Sequence, residues 1–196
     1  MIREILTIGD PFLRQPTRRI TVDELRSPAM QQVIDDMIDT MRHANGAGIA
    51  ANQIGEPYRI TVIEVEDNPR YPYKPRVPLT VVVNPIIEQL GDERFDVYEG
   101  CLSVPDLRGE VSRSVSIRAR YLDRDAGAHD VVIHGLTAGT YQHECDHLDG
   151  KLFVDRVTDT TTLCTWAQFQ RFHRAAFVDR IMAFIDRVAA EHPEPS

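Results

Sequence analysis

The chain is poor in several things, and each shortage narrows what it can be. Its 196 residues include three cysteines, Cys101, Cys145 and Cys164, an odd and sparse set. That speaks against a disulfide framework and fits a reducing compartment where thiols stay available for metal. Positive charge is also short. Twenty-two Lys and Arg against 30 Asp and Glu leave a net charge of −8. Such totals carry no electrostatic footprint for nucleic acid, and an acidic surface argues mainly for solubility. The opening MIREILTIGD has no apolar run of signal-peptide length, and no stretch approaches a membrane span. Internal repeats and low-complexity segments are missing too. A soluble cytoplasmic protein without a membrane partner is the expectation.

What is present is patterned. Residues 1–20 read as an irregular lead-in, broken by Pro11 and Pro16. Ser27-Pro28 opens a helix over 28–43, whose Val33, Ile34, Met37, Ile38 and Met41 recur at helical spacing. Residues 58–65 are rich in β-branched side chains and predict a strand. Pro69, Pro72, Pro75 and Pro78 mark an extended loop over 66–78. Strands are predicted over 79–84, 86–90, 94–98 and 113–121, the last turning through DRDAGA into a hairpin partner. A helix over 136–149 closes at Gly150, and a long helical pattern runs over 160–190. Helix, strands, helix, helix is an α+β plan. Antiparallel or mixed sheets should pack around the penultimate helix, with a long C-terminal helix added.

That penultimate helix carries YQHECDHLDG, in which His143, Glu144 and His147 form His-Glu-x-x-His. Positions i and i+4 share one helix face, so both imidazoles can address one ion, with Glu144 beside a bound water. A catalytic site needs a third ligand and an open position. Downstream, His173 sits in a helical pattern and His192 in the tail. Upstream, EGCLSVP offers Cys101 at a strand end, with Gly100 giving the backbone freedom and Glu99 able to accept orienting hydrogen bonds. Glu99 and Asp146 read equally as orienting partners and as members of structural ion pairs. Cys145 and Cys164 read as packed thiols. Two other readings stay open. An endopeptidase would need the third ligand downstream. A non-catalytic, metal-stabilised protein docking near the ribosome would need neither Glu144 nor Gln53.

Three separated segments, GAGIAANQ (46–53), EGCLS (99–103) and QHECDHLDG (142–150), followed by KLFVDR (151–156), together resemble peptide deformylase. The resemblance covers roughly residues 1–156. It implies Cys101, His143 and His147 as metal ligands and Glu144 as general base and acid. Gln53 and the Leu102 N–H would polarise the carbonyl. It implies one divalent ion, natively Fe2+, with Zn2+, Ni2+ or cobalt able to use the same ligands. The reaction implied is attack by a metal-bound hydroxide on the N-formyl group of the initiator methionine of nascent chains in a bacterial-type cytoplasm, with the ribosome exit region as a neighbour. The glycines of the first motif let the main chain approach substrate, which could add as a strand. Gly46, Gly48, Ile49, Gly100 and Glu99 are the substrate-binding candidates. On this reading residues 1–158 are the catalytic domain, 159–190 a helical extension of it, and 191–196 a disordered tail. The 66–78 segment departs from the family pattern as an insertion. Gly139 and Thr140 stand where the family has bulkier residues, at the pocket for the methionine side chain.

Overall fold

A computed structural model describes residues 1–66 and 72–192. The 67–71 part of the proline-rich segment and the 193–196 part of the expected tail lie outside the described residues. The chain runs through α1 (Val22–Arg26), α2 (Pro28–His43), β1 (Gly48–Ala50), β2 (Ile60–Val65), β3 (Val77–Cys101), β4 (Val104–Leu122), β5 (Ala128–His134) and α3 (Gly135–Leu148). It ends in β6 (Cys164–Thr165), α4 (Trp166–Gln168), a π turn over Phe169–His173 and α5 (Arg174–Glu191). β1 to β5 pair antiparallel in sequence order, and β6 pairs with β4. This is the expected α+β plan. No helix of the described residues is long and apolar enough to cross a membrane.

The alternation of side chains along a strand decides how the layers meet. Ile60 and Val62 of β2 and Val81 and Val83 of β3 pack with Ile34, Met37, Ile38 and Met41 of α2. Ile63 and Val82, one step out of phase, join Ile117 and Ala119 of β4 and Ala138 and Tyr141 of α3. The sheet is therefore buried on both faces here, with the motif helix on one side. Farther along, Phe95, Val97, Val115 and Leu136 are covered by Phe169, Phe177, Ile181 and Val188 of the C-terminal segment.

Several predicted boundaries change. The three strands expected over 79–84, 86–90 and 94–98 are one element, β3, whose pairing with β4 shifts between Val83 and Ile86 and again between Leu90 and Arg94. Asn84-Pro85 and Gly91 bend the strand without ending it, Asn84 at φ 53 and Gly91 at φ 71. Helix α1 was not expected, although Thr21-Val22-Asp23-Glu24 makes a capping box in which Thr21 and Glu24 bond each other's backbone N–H. The helix expected from 160 begins at Trp166, because Cys164 and Thr165 pair with Arg108 and Leu107 and the Thr165 hydroxyl caps the Gln168 N–H.

Asn84 also ties the lead-in to the core. Its amide accepts from the Ile20 N–H at 3.0 Å and donates to the Ile20 carbonyl at 2.8 Å, all buried. Asn84→Ala removes both bonds and puts alanine at positive φ. Urea unfolding should show a loss of about 2 kcal/mol or more. A change under about 0.5 kcal/mol would contradict the clamp.

Candidate metal centre

Helix α3 brings His143 and His147 to one face, and the end of β3 brings Cys101 against them. One ligand atom from each of the three lies within 4.8 Å of the others. Cys101 Sγ stands 3.1 Å from His147 Nε2. His143 Nδ1 is held by Glu99 Oε2 at 2.8 Å, which leaves its Nε2 to face the sulfur. Burial pushes the Cys101 thiol pKa up, but His147 and His143 outweigh it and bring the net value down to about 5. The thiolate is the form that ligates a metal. A soft thiolate with two imidazoles, half-enclosed and with one side open to a cavity, fits a divalent ion.

The cavity holds about 470 Å³. Gly46, Gly48, Gln53, Glu99, Gly100, Cys101, Leu102, His143 and Glu144 line it. Ile49 does not reach it. The whole residue is buried in the α2 core and its carbonyl accepts from the Thr61 hydroxyl at 3.0 Å, so the expected substrate contact by Ile49 is not supported. His147 lies behind His143, 1% exposed.

Gln53 is oriented by its own turn. Its Oε1 accepts from the Ala50 N–H at 2.8 Å, so the amide NH2 must point the other way, 3.0 Å from Ser103 Oγ and 3.5 Å from Cys101 Sγ. Next door, Asn52 donates to the His147 carbonyl at 2.6 Å and ties this turn to α3. The glycines make room for side chains more than they free the backbone. A Cβ on Gly48 would collide with the Glu144 carboxylate, and one on Gly100 with the Arg108 guanidinium. One on Gly46 would come within 2.9 Å of Leu102 Cδ1. Glu144 itself is 4% exposed and 3.4 Å from Thr61 Oγ1, and burial raises its pKa.

Residues that the motifs did not reveal hold the ligands in place. Arg113, on β4, donates to both Glu99 oxygens at 2.7 and 2.9 Å and to Asp146 Oδ2 at 2.6 Å. Arg156 pairs with the other side of Asp146. The chain of contacts Asp146–Arg113–Glu99–His143 joins two helix positions and two strands. Asp146 and Glu99 thus serve as ion-pair partners and as orienting groups at once. Lys74 and Thr140 also meet at the cavity, Nζ to Oγ1 at 3.1 Å.

Three protein ligands, a buried carboxylate beside them and an open cavity are the parts of a metal-dependent hydrolase. Residues 2–162 match the family described as polypeptide deformylase, and the chain belongs to that family. It is 44% identical over 160 residues to the peptide deformylase of Leptospira biflexa serovar Patoc, covering 81% of this chain and 89% of that one. It is 45% identical over 161 residues to peptide deformylase 2 of Ralstonia nicotianae, covering 82% and 90%. Among solved structures, the Met-Ala-Ser bound class I type b peptide deformylase of Acinetobacter baumannii superposes with a TM-score of 0.77 at 37% identity. That match covers 80% of this chain and 99% of the other. A peptide deformylase of Synechococcus elongatus in complex with actinonin matches with a TM-score of 0.72 at 31% identity, covering 91% and 85%. The chain is a metal-dependent hydrolase that removes the N-formyl group from newly made polypeptides.

Replacing Arg113 by Met would leave Glu99 and Asp146 buried without their shared cation. Burial raises both carboxylate pKa values, and the ion pairs outweigh it, so both end below their usual range. Their stabilisation is therefore present above the unfolded carboxylate pKa and is lost as pH falls through the lower folded values. Arg113→Met should cost about 3–5 kcal/mol near pH 7, and the penalty should shrink in acid, where the stranded carboxylates can protonate. Chemical unfolding at a series of pH values would show this. A penalty independent of pH would contradict it.

Proposed function

We propose that Cys101, His143 and His147 hold the ion, and that Glu144, Gln53 and the Leu102 N–H carry out the deformylation. The observation that carries this reading is the convergence of the Cys101 sulfur and two ring nitrogens beside the buried carboxylate that Gly48 makes room for. The ion is assigned as Fe2+ on the family resemblance, and the same donors accept Zn2+ or Ni2+. Bound there, it supplies Lewis acidity that lets a water lose its proton near neutral pH.

Glu144 takes that proton and later delivers it to the leaving nitrogen, because an amide anion is a poor leaving group. As charge develops on the formyl oxygen, Gln53 Nε2 and the Leu102 N–H donate to it. One such donor contributes about 3–4 kcal/mol to lowering the barrier. The Gln53 amide is turned toward Cys101 by its bond to Ala50, which holds its NH2 on the side of the ligands. Gly46, Gly48 and Gly100 shape the cavity floor, and Glu99 orients His143. The peptide following the formylated residue pairs as an added strand with the cavity-lining backbone around Gly46 and Gly48. The Met-Ala-Ser bound by the Acinetobacter enzyme supports a methionine at the first position. Residues 1–158 act as the catalytic domain and 159–190 as its extension. The setting is a bacterial-type cytoplasm close to the ribosome exit, where formylated chains emerge.

Incubation with formyl-Met-Ala-Ser and a longer unformylated peptide should release formate and no internal fragments. Fragments without formate would support an endopeptidase instead. Glu144→Ala should keep the metal and lose at least about a hundredfold in kcat. Cys101→Ala should lose the metal itself, read by elemental analysis. Full activity in either variant would overturn the assigned roles.

A further inference from the structure

The cavity has a second wall, on the Cys101 side, that the reaction as derived does not use. Gly100, Leu102, Pro105, Asp106, Arg108 and Trp166 form it. Trp166 comes from beyond residue 162, where the family match ends. Three contacts fix its place. Its neighbours Thr165 and Cys164 pair with Leu107 and Arg108 of β4, its N–H donates to Asp106 Oδ1 at 3.3 Å, and its ring stacks on Phe169 at 5.7 Å. The indole faces the Arg108 guanidinium, with Cζ 4.5 Å from the ring centre. The guanidinium also lies against Gly100, where a Cβ would collide with it. Arg108 is 6% exposed, yet it makes no ion pair among the described residues. Its one hydrogen bond there runs from Nη1 to the Leu107 carbonyl at 2.8 Å. Arginines this buried are almost always paired. Arg113, likewise buried on the same strand, serves two carboxylates.

We propose that Arg108, stacked on Trp166, is a specificity-determining residue that pairs with a carboxylate side chain on the substrate, favouring chains with an acidic second or third residue. An aromatic ring covers the face of a guanidinium and leaves its N–H edge for an in-plane partner. That edge matches a carboxylate, and the charge-assisted bonds are stronger than those to a neutral amide of the same shape. Much of the desolvation of the cation is already complete in the free protein, and Trp166 and Gly100 hold it in position. An incoming carboxylate therefore meets a partner that needs little further ordering. The position along the peptide follows from Gly100, which adjoins Cys101. With the formylated residue held at the metal cluster, an extended chain advances about 3.3 Å per residue. The second and third residues are then the ones that pass this wall.

The proposal rests on the deformylase reaction and is tested on the metal-loaded full-length enzyme. Formate release is measured from the C-terminal amides of formyl-Met-Glu-Ser, formyl-Met-Gln-Ser, formyl-Met-Ala-Glu and formyl-Met-Ala-Gln, and from formyl-Met-Ala-Ser as free acid and as amide. The wild type, Arg108→Gln and Trp166→Leu are compared. The quantity read is the kcat/KM ratio of the Glu peptide to its Gln counterpart, which cancels general damage to the site. Arg108→Gln should lower this ratio about tenfold at one of the two positions and leave the other within about twofold. Trp166→Leu, which keeps the cation but frees it to move, should lower the same ratio by less. A ratio unchanged at both positions, or lowered equally at both as a diffuse loss of charge would do, overturns the proposal. So does an effect seen only with the free acid of formyl-Met-Ala-Ser, which would assign Arg108 to a chain terminus. Formate release from the Gln peptides tests the reaction separately from the role of Arg108.

Discussion

Arg113 serves two buried carboxylates at once, Glu99 beside Cys101 on β3 and Asp146 beside His147 on α3. The rest of the site depends on that bridge. A strand end and a helix turn approach from different parts of the chain, and each brings a carboxylate that burial alone would drive to protonate. One guanidinium, 3% exposed, helps keep both ionised, together with Arg156 on Asp146. Glu99 can then hold the His143 ring by its Nδ1. The geometry of the ligands is therefore set by an ion-pair network, and the network is set by sheet register, since Arg113 faces Phe95 across the β3–β4 pair.

The sheet carries this register because it is covered on both faces. A one-residue slip would turn Ile117 and Ala119 away from α3 and Arg113 away from Glu99. Packing and chemistry are thus coupled through the parity of one strand. The C-terminal segment adds a second coupling. Its aromatic residues cover Phe95 and Tyr98, which are cavity walls on their other side.

Much of this could be read in the sequence. The helix spacing of His143 and His147 and the strand-end position of Cys101 pointed to the cluster that the fold brings together, because local geometry alone puts i and i+4 together. Arg113 was legible too and was passed over. It shares its phase with Val115, Ile117 and Ala119, all buried, so the alternation RSVSIRARY already pointed it inward. The glycines were assigned backbone freedom, whereas Gly48 and Gly100 yield space to Glu144 and Arg108 from distant segments. Nothing local in GAGIAANQ could show that. Lys74 was hidden for the same reason. A proline-rich stretch has no periodicity to fix its place, and the Phe177 ring that meets Tyr73 comes from far along the chain. The strand breaks at Asn84 and Gly91 were misread as ends because a bend and an end use the same residues.

The claim on which the chemistry rests is that one sulfur and two imidazoles surround a single ion and leave it an exchangeable position. X-ray absorption on the zinc-substituted protein measures that shell directly. The expected result is one ion per chain with one sulfur at about 2.3 Å and two imidazole nitrogens at about 2.0–2.1 Å, plus a light-atom ligand that an inhibitor displaces. A shell without sulfur, or one closed by four protein ligands, would contradict it.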